Sequence, residues 1–187
     1  MNLKIGISGA QSVGKTTLLS ALRSETWFKN FTICNEVTRK VKNYGLDINE
    51  NGTDLTQILI MQEHIVNLFM NRLMITDRTV LDGLVYSEYL HENDKISSQT
   101  FDYVKSIFIR CIRHYDLLFY IVPEFSLQSD GVRSIDVKFR DRIVELFEKN
   151  IEKHKVNYYK IGGSVRERVN KVFDVYKLKV NEYEQSK

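Results

Sequence analysis

The stretch Gly9-Ala-Gln-Ser-Val-Gly14-Lys15-Thr16 offers two glycines, one lysine and one hydroxyl in a fixed order. It matches the pattern G-x-x-x-x-G-K-[ST]. Glycines let a backbone wrap closely enough for successive N–H groups to point at one anion. An apolar run at residues 3–8 precedes the stretch, and a helical pattern at 14–23 follows it. That context is the one in which the pattern cradles a triphosphate on a helix amino terminus. The expected nucleotide-binding residues are Gly9, Ala10, Gln11, Ser12, Val13, Gly14, Lys15, Thr16 and Thr17. Lys15 should reach the β- and γ-phosphates, and the Thr16 hydroxyl should take Mg²⁺. A plain glycine turn between strand and helix would not need the full motif. The motif does not say which reaction follows.

Other charged groups fall where further apolar runs end. In "CNEVTRKV", Glu36 follows a short apolar run and Arg39 comes three residues later. If a helix begins there, both share a face: a carboxylate to orient or deprotonate an acceptor hydroxyl, and an arginine to hold an anionic acceptor. The alternative is an ordinary exposed pair at a helix start. In "LMITDRTVLDGLVYSEY", Asp77 ends an apolar run, the place where a P-loop protein holds Mg²⁺ or its water, and Arg78 brings charge to the same edge. Asp77 could also accept the acceptor's proton. Asp82 is an acceptor-side candidate, but Thr79-Val-Leu-Asp82 also reads as a capping box. "PEFSLQSDGVRSIDVKFRDRIVELF" carries Arg133, Arg140 and Arg142. An arginine-bearing lid over about 124–142 would neutralise charge on a transferring phosphoryl group. Arg133 and Arg140 are the catalytic candidates, since Asp141 and Glu145 could pair with Arg142. In "KIGGSVRERV", Gly162 and Ser164 would line a purine edge, although Ser164-Val-Arg-Glu167 is again a capping box.

Positioning these groups requires alternating strands and helices. Residues 3–8, 31–35, 73–76, 117–122 and 156–161 read as strands. Residues 14–23, 53–71, 79–90, 98–113, 136–153 and 164–178 carry helical spacing. Strand–helix alternation implies an α/β fold with a parallel sheet covered on both faces. Ligands then bind beyond the carboxyl ends of the strands, where all the candidates above converge. The 187 residues suit one domain, with the acceptor region at about 36–92. Hydrophobic residues at 43% and charged residues at 27% are ordinary for a globular protein. No apolar run approaches the roughly 18 residues of a membrane span, and "MNLKIGIS" does not read as a signal peptide. Cys34 and Cys111 are far apart and lie among apolar neighbours, so core thiols in a reducing cytoplasm are expected. A net charge of +3 fits an anionic small molecule as well as nucleic acid. Frequent Lys, Asn and Ile with a single Pro fit an AT-rich genome, such as that of a phage or a low-GC bacterium.

Together these residues resemble P-loop nucleoside and nucleotide kinases, and in particular the ribosylnicotinamide-kinase-like domain of the NAD-biosynthesis regulator and its stand-alone relatives. The likeness runs over nearly the whole chain. It is carried by residues 9–16, Glu36 with Arg39, "DLTQ" at 54–57, the acidic end of the third strand, "SDGVRS" with Arg140, and "EKHKVNYYKI". "TDRTVLDGLVYSEY" departs from that family and is similar to the Asp-Arg motif of thymidylate and deoxynucleoside kinases, where both residues face the acceptor. The resemblance implies a P-loop NTPase three-layer α/β/α fold with a five-stranded parallel core and an Arg-bearing lid. It also implies ATP, Mg²⁺, and transfer of the γ-phosphoryl group to a nucleoside-type acceptor.

Three functions remain open at this point. One is a kinase for a small nucleoside or nucleoside monophosphate, its acceptor pocket formed by residues 40–55 and the helices after them. A second is a phage-type kinase acting on a hydroxymethylated base in DNA, approached past Arg39, Lys40 and Lys42. A third is a non-catalytic nucleotide switch. No guanine-reading N-K-x-D motif is present, since Asn170-Lys171 is followed by Val-Phe, and lid arginines would be idle in a switch. A remodelling ATPase would need a further helical subdomain. The acceptor's identity, the preference for ATP over GTP, and a monomer or a homodimer are not legible in the sequence.

Overall fold

A computed structural model describes residues 2–123 and 137–185. Five strands form one sheet in the order β2-β3-β1-β4-β5: β1 (Leu3–Ser8), β2 (Thr32–Cys34), β3 (Leu73–Asp77), β4 (Leu117–Ile121) and β5 (Tyr159–Ile161). Every pairing is parallel, with Ile7 opposite Asp77 on one side of β1 and opposite Phe119 on the other. All residues of β1 and β4 are buried; "LLFYI" is the near-continuous apolar run of a strand covered on both faces, while "LKIGIS" alternates Leu3, Ile5 and Ile7 with the buried Lys4, Gly6 and Ser8.

The helices are α1 (Lys15–Arg23), α2 (Val37–Asn43), α3 (Asp54–Met70), α4 (Val80–Glu92), α5 (Ser98–Cys111), α6 (Val137–Lys153) and α7 (Val165–Gln185). Helices α1 and α7 pack together, as do α3, α4, α5 and α6, so both faces of the sheet are covered. This is the expected three-layer arrangement. Trp27, just past α1, stacks on Phe173 of α7 with ring centroids 3.7 Å apart. None of the described helices is long and apolar enough to cross a membrane.

Local chemistry sets the helix starts. Thr53 caps α3, Thr79 caps α4, and Ser97 caps α5, each hydroxyl accepting a first-turn N–H. Helix α1 differs: its cap is Gly14 at φ 88°, with no side-chain capping bond. Its first N–H groups are therefore turned toward the loop before it.

Three expectations shift in detail. β5 begins at Tyr159 rather than 156, because Val156 N–H closes the end of α6 on Ile151 and Lys155 turns at φ 49°. Helix α7 runs seven residues past 178, to Gln185. Strand β2 keeps only three residues, on a sheet edge. Cys34 and Cys111 are free buried thiols, as expected, and burial raises the pKa of both.

Candidate active site

The carboxyl ends of β1, β2 and β3 meet beside a cavity of about 650 Å³. Gln11, Ser12, Gly14, Lys15, Thr16 and Thr17 line one side; Glu36, Thr38, Arg39 and Lys42 line the other. The loop from Gly9 to Gly14 requires its glycines. Gly9 sits at φ 150°, and a Cβ there would lie 2.9 Å from the Ile121 carbonyl oxygen. Lys15 is buried, and its ammonium donates to the carbonyls of Gly9 at 2.7 Å and Ala10 at 2.6 Å. Burial first, then the charge of Arg78, lowers the Lys15 pKa to about 8, against the pull of Asp77, Asp82 and Glu36.

Behind the loop, Thr16 Oγ1 donates to Asp77 Oδ2 at 2.9 Å. Asp77 is buried, and its Oδ1 has no hydrogen-bond partner among the described residues. Burial raises its pKa, opposed by Lys15 and Arg78. A hydroxyl beside a carboxylate with an unspent oxygen suits a hard cation such as Mg²⁺, which keeps several waters and needs only one or two protein ligands. Among the described residues no group of three or more His, Cys, Asp or Glu forms a fuller metal cage.

The opposite wall is built around Arg78. Its backbone is left-handed, at φ 73°, held by Arg78 N–H to Ile7 O at 2.9 Å and by Thr76 Oγ1 donating to Arg78 O at 3.0 Å. The buried guanidinium donates to Glu36 Oε1 at 2.8 Å and Asp82 Oδ1 at 3.4 Å, and lies over the Tyr86 ring at 4.8 Å. Arg39 Nε donates to the other Glu36 oxygen at 3.0 Å. Burial would raise the Glu36 pKa, but the charge and hydrogen bond of Arg78, with Lys15 and Arg39, overcome it and hold the group at about 2. Glu36 is therefore a firmly ionised carboxylate. Tyr86 OH donates to Gln11 Oε1 at 2.9 Å, tying this wall to the phosphate loop.

Asp82 is first a brace. It completes the capping box with Thr79, accepts from Arg78, and accepts from Gly9 N–H at 3.4 Å. It lines not the main cavity but a smaller one beneath. Gly9, Ala10, Val13, Asp77 and Arg140 also lie outside the lining of the main cavity. Arg140 is buried within α6, and its neighbour Phe139 lines the cavity instead. Arg142 pairs on the surface with Glu92 at 2.7 Å and Glu145 at 2.8 Å, so its partner beyond Glu145 is Glu92 rather than Asp141. Arg133 and the expected lid up to residue 136 lie outside the described residues.

Gly162 and Ser164 do not line the cavity either. Ser164 forms its capping box with Glu167, and the left-handed glycine is Gly163 at φ 82°. Sequence reasoning missed Arg168, which joins this turn to the phosphate loop. Its Nε donates to Gly163 O at 2.9 Å and its NH1 to Val13 O at 2.6 Å. No motif marks it; only a fold that returns α7 to the start of the chain makes the contact. Gln11 and Tyr86 pair in the same unsignalled way.

A family model described as an AAA domain matches residues 4–168. No curated protein matches the chain. The NadR protein in complex with NR superposes with a TM-score of 0.69 at 18% identity, over 97% of this chain and 51% of that one. The chain thus spans about half of that protein's length. Deoxyadenosine kinase from M. mycoides, with products dCMP and dCDP bound, gives 0.65 at 14% identity over 97% and 100% of the two chains. The YorR protein from Bacillus subtilis, in complex with phosphorylated GDP, gives 0.56 at 15% identity over 95% and 97%. At these identities the structural likeness is one of fold. The match across residues 4–168 makes the chain a member of the AAA domain family, with a P-loop nucleoside-kinase-like fold.

Proposed function

We propose that the protein is an ATP- and Mg²⁺-dependent kinase that transfers the γ-phosphoryl group to a small nucleoside or nucleoside monophosphate. The observation that carries this reading is one cavity with two chemically distinct walls. Lys15 and Thr16 stand on one side, and Glu36 with Arg39 and Arg78 on the other. A triphosphate on the loop would present its terminal phosphoryl toward the second wall. A nucleotide switch has no need of such a wall. The neighbours named above include a deoxyadenosine kinase and proteins bound to NR and phosphorylated GDP, which favours a nucleoside-type acceptor.

The chain's own residues divide the work. Lys15 leaves its loop carbonyls for the β- and γ-phosphates and offsets charge on the transferring group. Thr16 and Asp77 would hold Mg²⁺, which supplies charge neutralisation across the phosphates. Glu36, ionised and clamped by two arginines, accepts a hydrogen bond from the acceptor hydroxyl and aims it. At a pKa of about 2 it orients better than it deprotonates. Arg39 and Lys42, both exposed, offer charge to an acceptor phosphate. Arg133 and Arg140 remain proposed lid arginines, and Gly162 and Ser164 a proposed purine edge.

The test is ADP release with Mg²⁺ across nucleosides, deoxynucleoside monophosphates, ribosylnicotinamide and hydroxymethylated DNA. Stimulation by a small acceptor is the expected result. Stimulation by DNA alone, lost at high salt, would move the substrate to the DNA class. No stimulation by any acceptor overturns the kinase reading.

A further inference from the structure

Helix α3 turns Gln57, Ile60, Met61, His64 and Leu68 inward, the three- and four-residue spacing of a buried face. His64 is out of place among them. Only 1% of its surface is exposed, yet neither ring nitrogen has a hydrogen-bond partner among the described residues. Packing alone would be served better by an apolar side chain, because a buried polar group without a partner forfeits its hydration.

His64 lines a second, small cavity of about 20 Å³ together with Gln57, Arg78, Asp82 and Tyr86. This cavity shares Thr38, Asn49 and Arg78 with the main one, so it is the deep end of the same site. Its size suits one water-sized group, not a ring. The charged walls are already engaged, Arg78 with Glu36 and Asp82, and Asp82 with the Thr79 cap. The Gln57 carboxamide oxygen accepts from Ser87 Oγ at 3.0 Å. Burial, then the Arg78 charge, lowers the His64 pKa to about 3, so the imidazole is neutral near pH 7 and offers one donor and one acceptor.

We propose that His64, beside Gln57, is a specificity-determining residue that hydrogen-bonds one small polar substituent on the acceptor's ring. The inference rests on the proposed acceptor site and deepens it: the acceptor is a heteroaromatic carrying an amino or carbonyl group at its far edge. An analogue lacking that group would strand the imidazole again and be discriminated against.

The experiment uses the full chain with isotope-labelled histidine; of the four histidines, His64 is assigned through His64→Leu. Adenosine, guanosine, cytidine, thymidine and purine riboside, whose ring bears no exocyclic group, are titrated in. The expected result is that at least one substituted nucleoside shifts the His64 ring signals and purine riboside does not. His64→Leu should then lower kcat/KM for that nucleoside on the order of 10-fold or more, toward the purine riboside value, with the KM for ATP unchanged. His64→Gln should recover part of the loss. The folded stability of His64→Leu should equal or exceed that of the parent, since an unpartnered polar group is removed. Signals that shift while no acceptor is phosphorylated would uphold this binding role and fail the kinase reading alone. Signals unmoved by all five nucleosides, or a His64→Leu loss equal for every acceptor, would overturn the inference and leave a buried water site.

Discussion

The loop around Lys15 and the proposed acceptor wall solve the same problem, holding charge out of water, by opposite means. The loop is one run of consecutive residues, and Lys15 finds its partners five and six positions back, on Ala10 and Gly9. The acceptor wall is collected from distant segments. Arg78 meets Glu36 across 42 residues, and Tyr86 meets Gln11 across 75. A local solution can be carried intact between proteins that do different things. A dispersed one has to be built for a particular acceptor. Substitutions in the loop should therefore weaken turnover alike for all acceptors, and substitutions in the wall should change stability or acceptor choice.

The largest expected effect tests the wall. Arg78→Met strips Glu36 and Asp82 of their buried counter-charge and should cost about 3–5 kcal/mol of stability. Urea unfolding measures it, and a loss under about 1 kcal/mol would mean the wall is not held as one unit. Next comes the loop. Lys15→Ala should lower kcat by about 10²–10³ with any acceptor that is turned over. A loss that differs strongly between acceptors would break the separation of the two regions.

The two regions should also answer to pH in different windows. Glu36 has a folded pKa of about 2, below its ordinary 4.5. His64 has one of about 3, below 6.5. In both cases the unfolded chain takes up protons first as the solution is acidified. Stability is therefore unaffected by each group above its ordinary pKa and falls as the pH drops from there to the folded value. Glu36→Gln should flatten the acid limb between about 4.5 and about 2. Lys15 acts at the other end. Its penalty for burying a charge is full below about 8 and is relieved as the pH rises toward 10.5, so stability gains there and Lys15→Met should abolish the gain. Unfolding midpoints measured across pH separate the two windows.

The smallest effect serves as the control. Arg142→Ala removes a half-exposed pairing with Glu92 and Glu145 and should cost no more than about 1 kcal/mol, with acceptor choice unchanged. A shift in acceptor preference would extend the acceptor wall onto α6.

The same contrast explains what the sequence made legible. The glycine loop between β1 and α1, the apolar run of β4, and the caps at Thr79 and Ser164 are local patterns, and they appear where they were expected. That Glu36, Asp77 and Arg78 come to one edge of the sheet was legible because strand ends in a parallel sheet converge, a rule that needs no side-chain detail. Their bonds were not legible. Nothing in "TDRTVLDG" says that Asp82 reaches back to Gly9 N–H, nor that Arg78 must adopt a left-handed backbone. His64 carries no signal in the sequence, because helical spacing does not report whether a buried nitrogen has a partner. Gly162 and Ser164 followed from position, and the bond from Arg168 to this turn left no mark in the sequence.

That tether has a bearing on how the chain is made. Arg168 reaches Val13 across 155 residues, and Trp27 rests on Phe173 of the same helix. The phosphate loop is thus synthesised well before the helix that completes its packing. Until α7 emerges and docks, a nascent chain carries the whole motif without the guanidinium that holds its loop carbonyl. The phosphate loop should therefore reach its folded geometry only once α7 has docked.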